Sequence, residues 1–562
     1  MKKRLLGLML ILCILLPMFV FAVPVSAATT TSITQFGITW TFEGEVEYGQ
    51  FANGDYWVVG PVTITSITPK SSTAEGITMH GSMLNPPLST TQQGFDSRIG
   101  NGNNYVESKN VAREMPLVVQ PGSSLLSCES HLDTKANPQN FPQMKTIAIL
   151  TVLAEPAAEG DFRPPYVGTD KSLNWNKKDL DYTKLGSVAN PGGAVPLATL
   201  ESRFERPWIE INLTWAGRNM HPDLNQLSLD GGIGTYGREI ANTIGAALLA
   251  LQLDYTDAQK EKLLISIVQY GIDIYGAARI GGNWGNDGGH NMGRKMVLLL
   301  AGAVLGDENI MEYGDAAKHR IFQEDQQTFY IAQAQIDGKR QDSDNRARAA
   351  YTSDMLGLAE WGEKHVGSPE RDGSNWNAYY RDIAGSTVVA AAVTAHIMEL
   401  EEEWNWPPFF DYIDRLAENQ IPMNGAWGSN DIPGYASAMW KAYRSMGSDL
   451  YRGMSLSPDY IVYDKSEYSY TSAGVNEQYL PWFNVMYTGD DASREVVMFV
   501  AEYDADDTMV SLTSAKVTCV KDKFSYVHIG AKTSFTMNAG STYKAFLWDA
   551  ASLTPLMKTR PF

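Results

Sequence analysis

Cysteine is nearly absent. Three occur in 562 residues, and Cys13 falls in an N-terminal apolar run, leaving Cys128 and Cys519 far apart in the chain. Such a pair makes no disulfide scaffold. No Cys/His cluster has zinc-binding spacing and no EF-hand loop occurs, so no metal or other cofactor is expected. Basic residues are also short: 45 Lys and Arg face 64 Asp and Glu, a formal net charge of −19. That balance argues against general nucleic-acid binding, and it disfavours a polyanionic ligand unless cations gather locally. Beyond the N-terminus no apolar run is long enough to cross a bilayer; the longest candidate, 296–305, is too short. Internal repeats and low-complexity tracts are missing as well.

What the chain does have begins with a leader. Lys2, Lys3 and Arg4 precede an apolar run from Leu5 to Val23, and Val25, Ser26 and Ala27 offer small residues for cleavage. Residues 1–28 therefore read as a secretory signal peptide, and the mature chain is expected to be secreted or held at the cell surface. Roughly 535 mature residues exceed one compact core, so several domains are expected. The 14 Trp and 27 Tyr suit a sugar-binding protein, whose aromatic faces stack on pyranose rings, although core packing accounts for most single aromatics.

Hydrophobic periodicity divides the chain in three. Residues 29–160 carry short β-prone runs, with 62–67 alternating and 146–153 apolar throughout, and read as an N-terminal β-sandwich. A Pro- and Gly-rich stretch, 161–200, reads as a linker. Residues 201–458 turn helical: Ile240, Ile244, Ala247, Leu248 and Leu251 share one face. Leu263, Leu264, Ile267, Val268, Ile274 and Tyr275 share another, behind a start signal at Thr256 to Gln259. Residues 296–305 are apolar on every side and should be buried. Successive helices joined by long polar loops, 279–291 and 336–352, predict an α/α toroid rather than a tight bundle. β signals return over 459–562, a C-terminal β-sandwich. The fold class is thus multidomain α+β.

The polar loop 281–295 (GGNWGNDGGHNMGRK) holds six glycines, and it presents Trp284, Asp287, His290, Asn291, Arg294 and Lys295 at the entry to the apolar helix. Functional side chains gather on loops held by rigid elements. His290 precedes the helix with Asn291 placed to cap it, and a helix N-terminus favours the neutral imidazole that a general base needs. Arg294 and Lys295 sit where the macrodipole disfavours cations, so an anion nearby is expected, either Asp287 or a substrate carboxylate. A second neighbourhood holds Arg218, His221, Asp223, Asn225, Tyr236 and Glu239. A third, 342–354, places Tyr351 after Arg346 and Arg348; a guanidinium lowers the cost of phenolate and primes a tyrosine for proton transfer.

The order Asn225, His290, Arg346 and Tyr351, on an expected toroid behind a leader, resembles the secreted α/α-toroid polysaccharide lyases of the alginate and glucuronan type. The resemblance covers about 200–455 and rests on order and rough spacing. It implies β-elimination on a uronic-acid polysaccharide: Asn225 neutralises the uronate carboxylate, His290 removes the C5 proton, Tyr351 protonates the leaving oxygen and Arg346 supports the site. Arg348, Arg294, Lys295, His221, Arg218, Tyr236 and Trp284 are the expected substrate-binding residues. One rival is a toroid glycoside hydrolase with paired carboxylates drawn from Asp223, Glu239, Asp287, Asp342, Asp344 and Asp354. Another is a non-catalytic glycan-binding surface protein.

Overall fold

The computed structural model describes residues 28–331 except 90–91, 103, 133–142 and 226–235. It also describes 359–362, 384–419, 432–446 and most of 456–561. The architecture is mixed α+β. No described helix is long and apolar enough to cross a membrane.

The N-terminal strands form one eight-stranded sheet. β1 (Thr29–Gln35) and β2 (Ile38–Gln50) join through the two-residue turn Phe36 and Gly37, both at positive φ, with Gln35 opposite Ile38. That is the primed turn whose twist matches a hairpin. β2 is long enough to serve two neighbourhoods. Its residues 39–42 pair with β4 (Val62–Thr68), with a register shift after Thr41, and its residues 48–50 pair with β3 (Tyr56–Val59). The remaining strands are β5 (Ser72–Ala74), β6 (Ile77–Met79), β7 (Ser82–Leu84), β8 (Leu117–Val119), β9 (Ser123–Ser130) and β10 (Met144–Leu153), of which β5 and β6 pair only with each other. β10 runs parallel to β3 and antiparallel to β9. Period-two alternation gives it two buried faces. Ala148, Leu150 and Val152 fill the sheet's own core with Trp40, Val58 and Ile64, while Ile147 and Ile149 join the core of the helical region.

The connection 161–200, expected as a linker, is bound into that shared core. Phe162, Arg163 and Tyr166 are fully buried. Arg163 donates to Asp55 Oδ2 (2.7 Å) from the β2–β3 turn, and to Asp273 Oδ1 (3.0 Å) and Oδ2 (2.5 Å). Breaking such a pair strands a buried charge.

The helices are α1 (Leu197–Phe204), α2 (Gly237–Gln252), α3 (Asp257–Arg279), α4 (Arg294–Leu305), α5 (Glu308–Gly314) and α6 (Gln323–Gln327). After these come α7 (Val389–Met398), α8 (Glu401–Trp404), α9 (Pro407–Asn419) and α10 (Gly434–Tyr443). α3 opens on a capping box between Thr256 and Gln259, as its sequence predicts. α4 is buried almost throughout. Towards the C-terminus, strands within 460–561 enclose a separate core, with Val496, Met498 and Val500 packed on Phe483, Val485, Ala545 and Leu547. The longest strand of this region, Met509–Val520, is continuous over twelve residues.

Candidate functional site

A single buried carboxylate organises the glycine-rich loop. Glu210 lies between apolar Ile209 and Ile211 and is 2% exposed. Trp284 Nε1, near the loop's start, donates to Glu210 Oε2 (2.9 Å). Arg294 Nε, at the loop's end where α4 begins, donates to Oε1 (3.0 Å), and so does the Tyr270 hydroxyl of α3. One carboxylate therefore staples both ends of the segment that carries His290. Burial alone would raise the Glu210 pKa, but Arg294, His221 and the donors Tyr270 and Trp284 hold it down at about 2. His221 lies 3.8 Å from Glu210 Oε1, and its Nδ1 accepts the Ile209 N–H (3.1 Å). Burial pushes the His221 pKa down to about 4, so the ring is neutral in ordinary solution.

α6 frames the loop from its other side. Gln323 donates to Gly288 O and accepts from Asn291 N (2.9 Å), Gln326 accepts from Asn286 N (3.3 Å), and Glu324 Oε1 accepts from Gly293 N (2.6 Å). Phe322 stacks on Trp284 with centroids 5.4 Å apart. Asp287 Oδ2 accepts from Trp215 N (2.7 Å) and so ties the loop to the 215–220 turn. Trp215 itself is 37% exposed.

Within this frame the structure brings His290 and Tyr236 together. Their rings meet edge to face at 4.6 Å between centroids, and both residues are half-buried. Gly237 makes the approach possible: a Cβ there would lie 2.1 Å from Gly289 O and 2.3 Å from His290 Cα.

Several expected site residues have other duties. Asn291 does not cap α4. The helix starts at Arg294, with Gly293 as N-cap at φ 93°, and the Asn291 amide donates to Leu213 O (3.1 Å) and Gly285 O (3.0 Å). The anions that offset Arg294 and Lys295 are neither Asp287 nor a substrate group but the distant Glu210 and Asp325. Lys295 is fully buried, bonded to Asp325 Oδ2 (2.7 Å) and Trp404 O (2.9 Å), with its ammonium over the Trp404 ring. Arg294, Lys295, His221 and Trp284 thus lie inside the protein and present nothing to a ligand there. Asn225 is buried as well, its amide donating to Arg206 O (3.0 Å) and Pro207 O (3.3 Å). Among the rival acids, Glu239 is buried on Arg238 and Asp223 pairs with His131 (3.2 Å). Tyr351, Arg346, Arg348, Asp342, Asp344 and Asp354 lie outside the described residues, as does the side chain of Arg218.

Sequence reasoning passed over Glu210, Tyr270, Glu324 and Asp325. A signal existed for Glu210: an acid between Trp208-Ile209 and Ile211 is a charge in a buried run, which requires a cation. Among the described residues, Cys128 and Cys519 are free and buried. The described residues contain no group of His, Cys, Asp and Glu arranged to hold a metal.

No family model matches the chain, and no curated protein does. Among solved structures, a Kluyveromyces marxianus β-glucosidase in complex with glucose aligns at 13% identity and TM-score 0.13, over 35% of this chain and 30% of that one. A Pseudomonas fluorescens alkylpurine DNA glycosylase, AlkC, bound to DNA with an abasic-site analogue, aligns at 10% identity and TM-score 0.13, over 70% and 99%. Likeness at this level carries no argument about fold or function.

Proposed function

We propose that the protein is a secreted polysaccharide lyase that cleaves a uronic-acid-containing polysaccharide by β-elimination. In this reading, residues 201–458 form an α/α toroid between β-sandwich domains. The observation that carries it is the His290–Tyr236 pair, an imidazole and a phenol in ring contact on a braced loop. The reaction needs a base to take the C5 proton, an acid to protonate the departing glycosidic oxygen, and a group to hold the carboxylate. His290 serves as the base. Tyr236, beside it, is an acid candidate along with Tyr351; with the Asn225 amide spent on Arg206 O and Pro207 O, carboxylate binding passes from Asn225 to Arg346 and Arg348. The exposed indole of Trp215, tethered through Asp287, offers a face for a sugar ring.

The test incubates the protein with uronic-acid and neutral polysaccharides while following ultraviolet absorbance and reducing ends. New reducing ends with matching absorbance from an unsaturated uronate support elimination. Reducing ends without absorbance sink it and direct the search to paired carboxylates.

A further inference from the structure

The N-terminal sheet and α3 enclose a cleft of about 560 Å³ that contains no residue of the 281–293 loop. We propose that this cleft is a second, independent binding site, and that its ligand is a neutral, hydroxyl-rich glycan of about two sugar rings, a size within the usual range of small-molecule sites. The proposal does not depend on the lyase reading.

One wall is a helix stripe. Ala258, Glu261, Lys262, Ile265 and Ser266 recur at the spacing of a single α3 face, while Leu263, Leu264, Ile267 and Val268 turn into the core. The opposite wall is built from two tight turns of the sheet. Phe36 sits at φ 51°, a conformation bulky side chains rarely adopt, and Arg206 lies over its ring at 4.9 Å. The primed turn sets that positive φ, so what this wall adds is an aromatic lining residue held by a cation. Tyr56 adds a second aromatic lining residue.

The polar groups of this wall are held in place. Asp55, clamped by Arg163, accepts from the Gln35 amide (3.1 Å) and the Asn53 amide (2.8 Å). Gln35 Nε2 also donates to Gly54 O (3.2 Å), whereas its buried Oε1 receives no donor. Both Gln35 N–H groups are spent on Gly54 and Asp55, which leaves Oε1 as its acceptor, and Asn53 gives only one of its two N–H groups to Asp55, so the two fixed amides suit one acceptor and one donor contact to sugar hydroxyls.

The charges argue against an acidic ligand. Glu205, Glu261 and Lys262 line the cleft with a net charge of −1. Each is paired outside it, with Arg206, Lys177 and Glu201 respectively. No unbalanced cation awaits a carboxylate, sulfate or phosphate.

Calorimetric titration of the full chain with cellobiose, xylobiose, mannobiose and maltose tests the proposal, with a uronate disaccharide for comparison. At least one neutral disaccharide should bind saturably. Ala258→Trp, which fills the cleft from an exposed helix position, should weaken it at least tenfold with unchanged melting temperature, and Gln35→Ala should weaken it too. His290→Ala should leave it intact, so binding here and elimination at the loop fail separately. Silence from every neutral probe, tighter binding of the uronate, indifference to Ala258→Trp, or loss in His290→Ala would each overturn the proposal.

Discussion

Glu210→Gln is the substitution that most directly probes the loop's frame. Shape barely changes, but the amide cannot balance the Arg294 guanidinium, and its Nε2 cannot accept from Trp284 Nε1. Arg294 is 2% exposed and cannot shed its proton at accessible pH, so a buried charge is left uncompensated at any pH. Breaking such a pair from one side costs about 3–5 kcal/mol. At about 2.1 cal/mol/K per residue over roughly 535 residues, each kcal/mol moves the melting temperature by about 1 °C, so a drop of about 3–5 °C is expected. Arg294→Met breaks the same pair from the other side, and there Glu210 can escape by taking up a proton. Its deficit should therefore shrink as pH falls towards 5, whereas that of Glu210→Gln should not. The double variant removes both charges and should recover most of the loss, since replacing both partners is close to neutral. Differential scanning calorimetry of the four proteins across pH is the assay. Should Glu210→Gln melt within about 1 °C of the parent, or the double variant be worse than either single, the carboxylate does not hold this loop.

Other perturbations separate frame from chemistry. Lys295→Met should cost about 3–5 kcal/mol by stranding Asp325 without changing KM; a KM effect with a normal melting temperature would return Lys295 to the substrate. His290→Ala should abolish elimination while melting near the parent, and full turnover in it would remove His290 as the base. Gly237→Ala forces a Cβ into the Gly289–His290 backbone and should lower both activity and stability, the latter by about 1–3 kcal/mol; a parental activity profile would refute the close approach. Protonation gives two opposed limbs. His221, lowered from 6.5 to about 4, binds its proton sooner in the unfolded chain, so it withdraws stability as pH falls from 6.5 to about 4. Glu324, raised from 4.5 to about 7 by burial, favours the fold below 4.5 and loses that contribution as pH rises through 7. His221→Gln should unmask the second limb as a melting temperature that falls steadily between pH 4.5 and 7; an unchanged profile would exclude His221 from the linkage.

The helices and strands were largely legible because their signals are local. Thr256 and Gln259 cap α3 as written, and the all-apolar 296–305 segment is the buried α4. The glycines also singled out the loop that the fold braces on Glu210 and α6. Its partners were not. Glu210 lies 84 residues before Arg294 and Asp325 lies 30 after Lys295, and no periodicity carries information about such pairings. The macrodipole argument correctly demanded anions beside the two cations, but a single sequence offers no way to tell a distant protein carboxylate from a nearer one or a substrate. Tyr236 fared differently: the sequence marked it as substrate-binding, and the fold puts it against His290 beside Gly237, where a side chain would block the approach.

The electrostatics of the α4 entry bear on where chemistry can occur. Arg294 and Lys295 face Glu210, Asp325 and Glu324, all buried. With the Glu324 carboxyl pushed up to about 7, two cations balance two carboxylates in mildly acidic solution, and the cluster carries no net charge. A neutral, water-excluded frame exerts little pull on a polyanion, and it gains nothing from a ligand carboxylate that its own acids already supply. Any attraction for a uronate chain must then come from cations elsewhere, with Arg346 and Arg348 the candidates that the lyase resemblance supplies. Charge reversal separates the two roles: Arg346→Glu should raise KM steeply with little change in melting temperature, the inverse of the pattern expected for Lys295→Met. If Arg346→Glu binds substrate normally, the uronate assignment loses its source of affinity and the neutral-glycan readings gain.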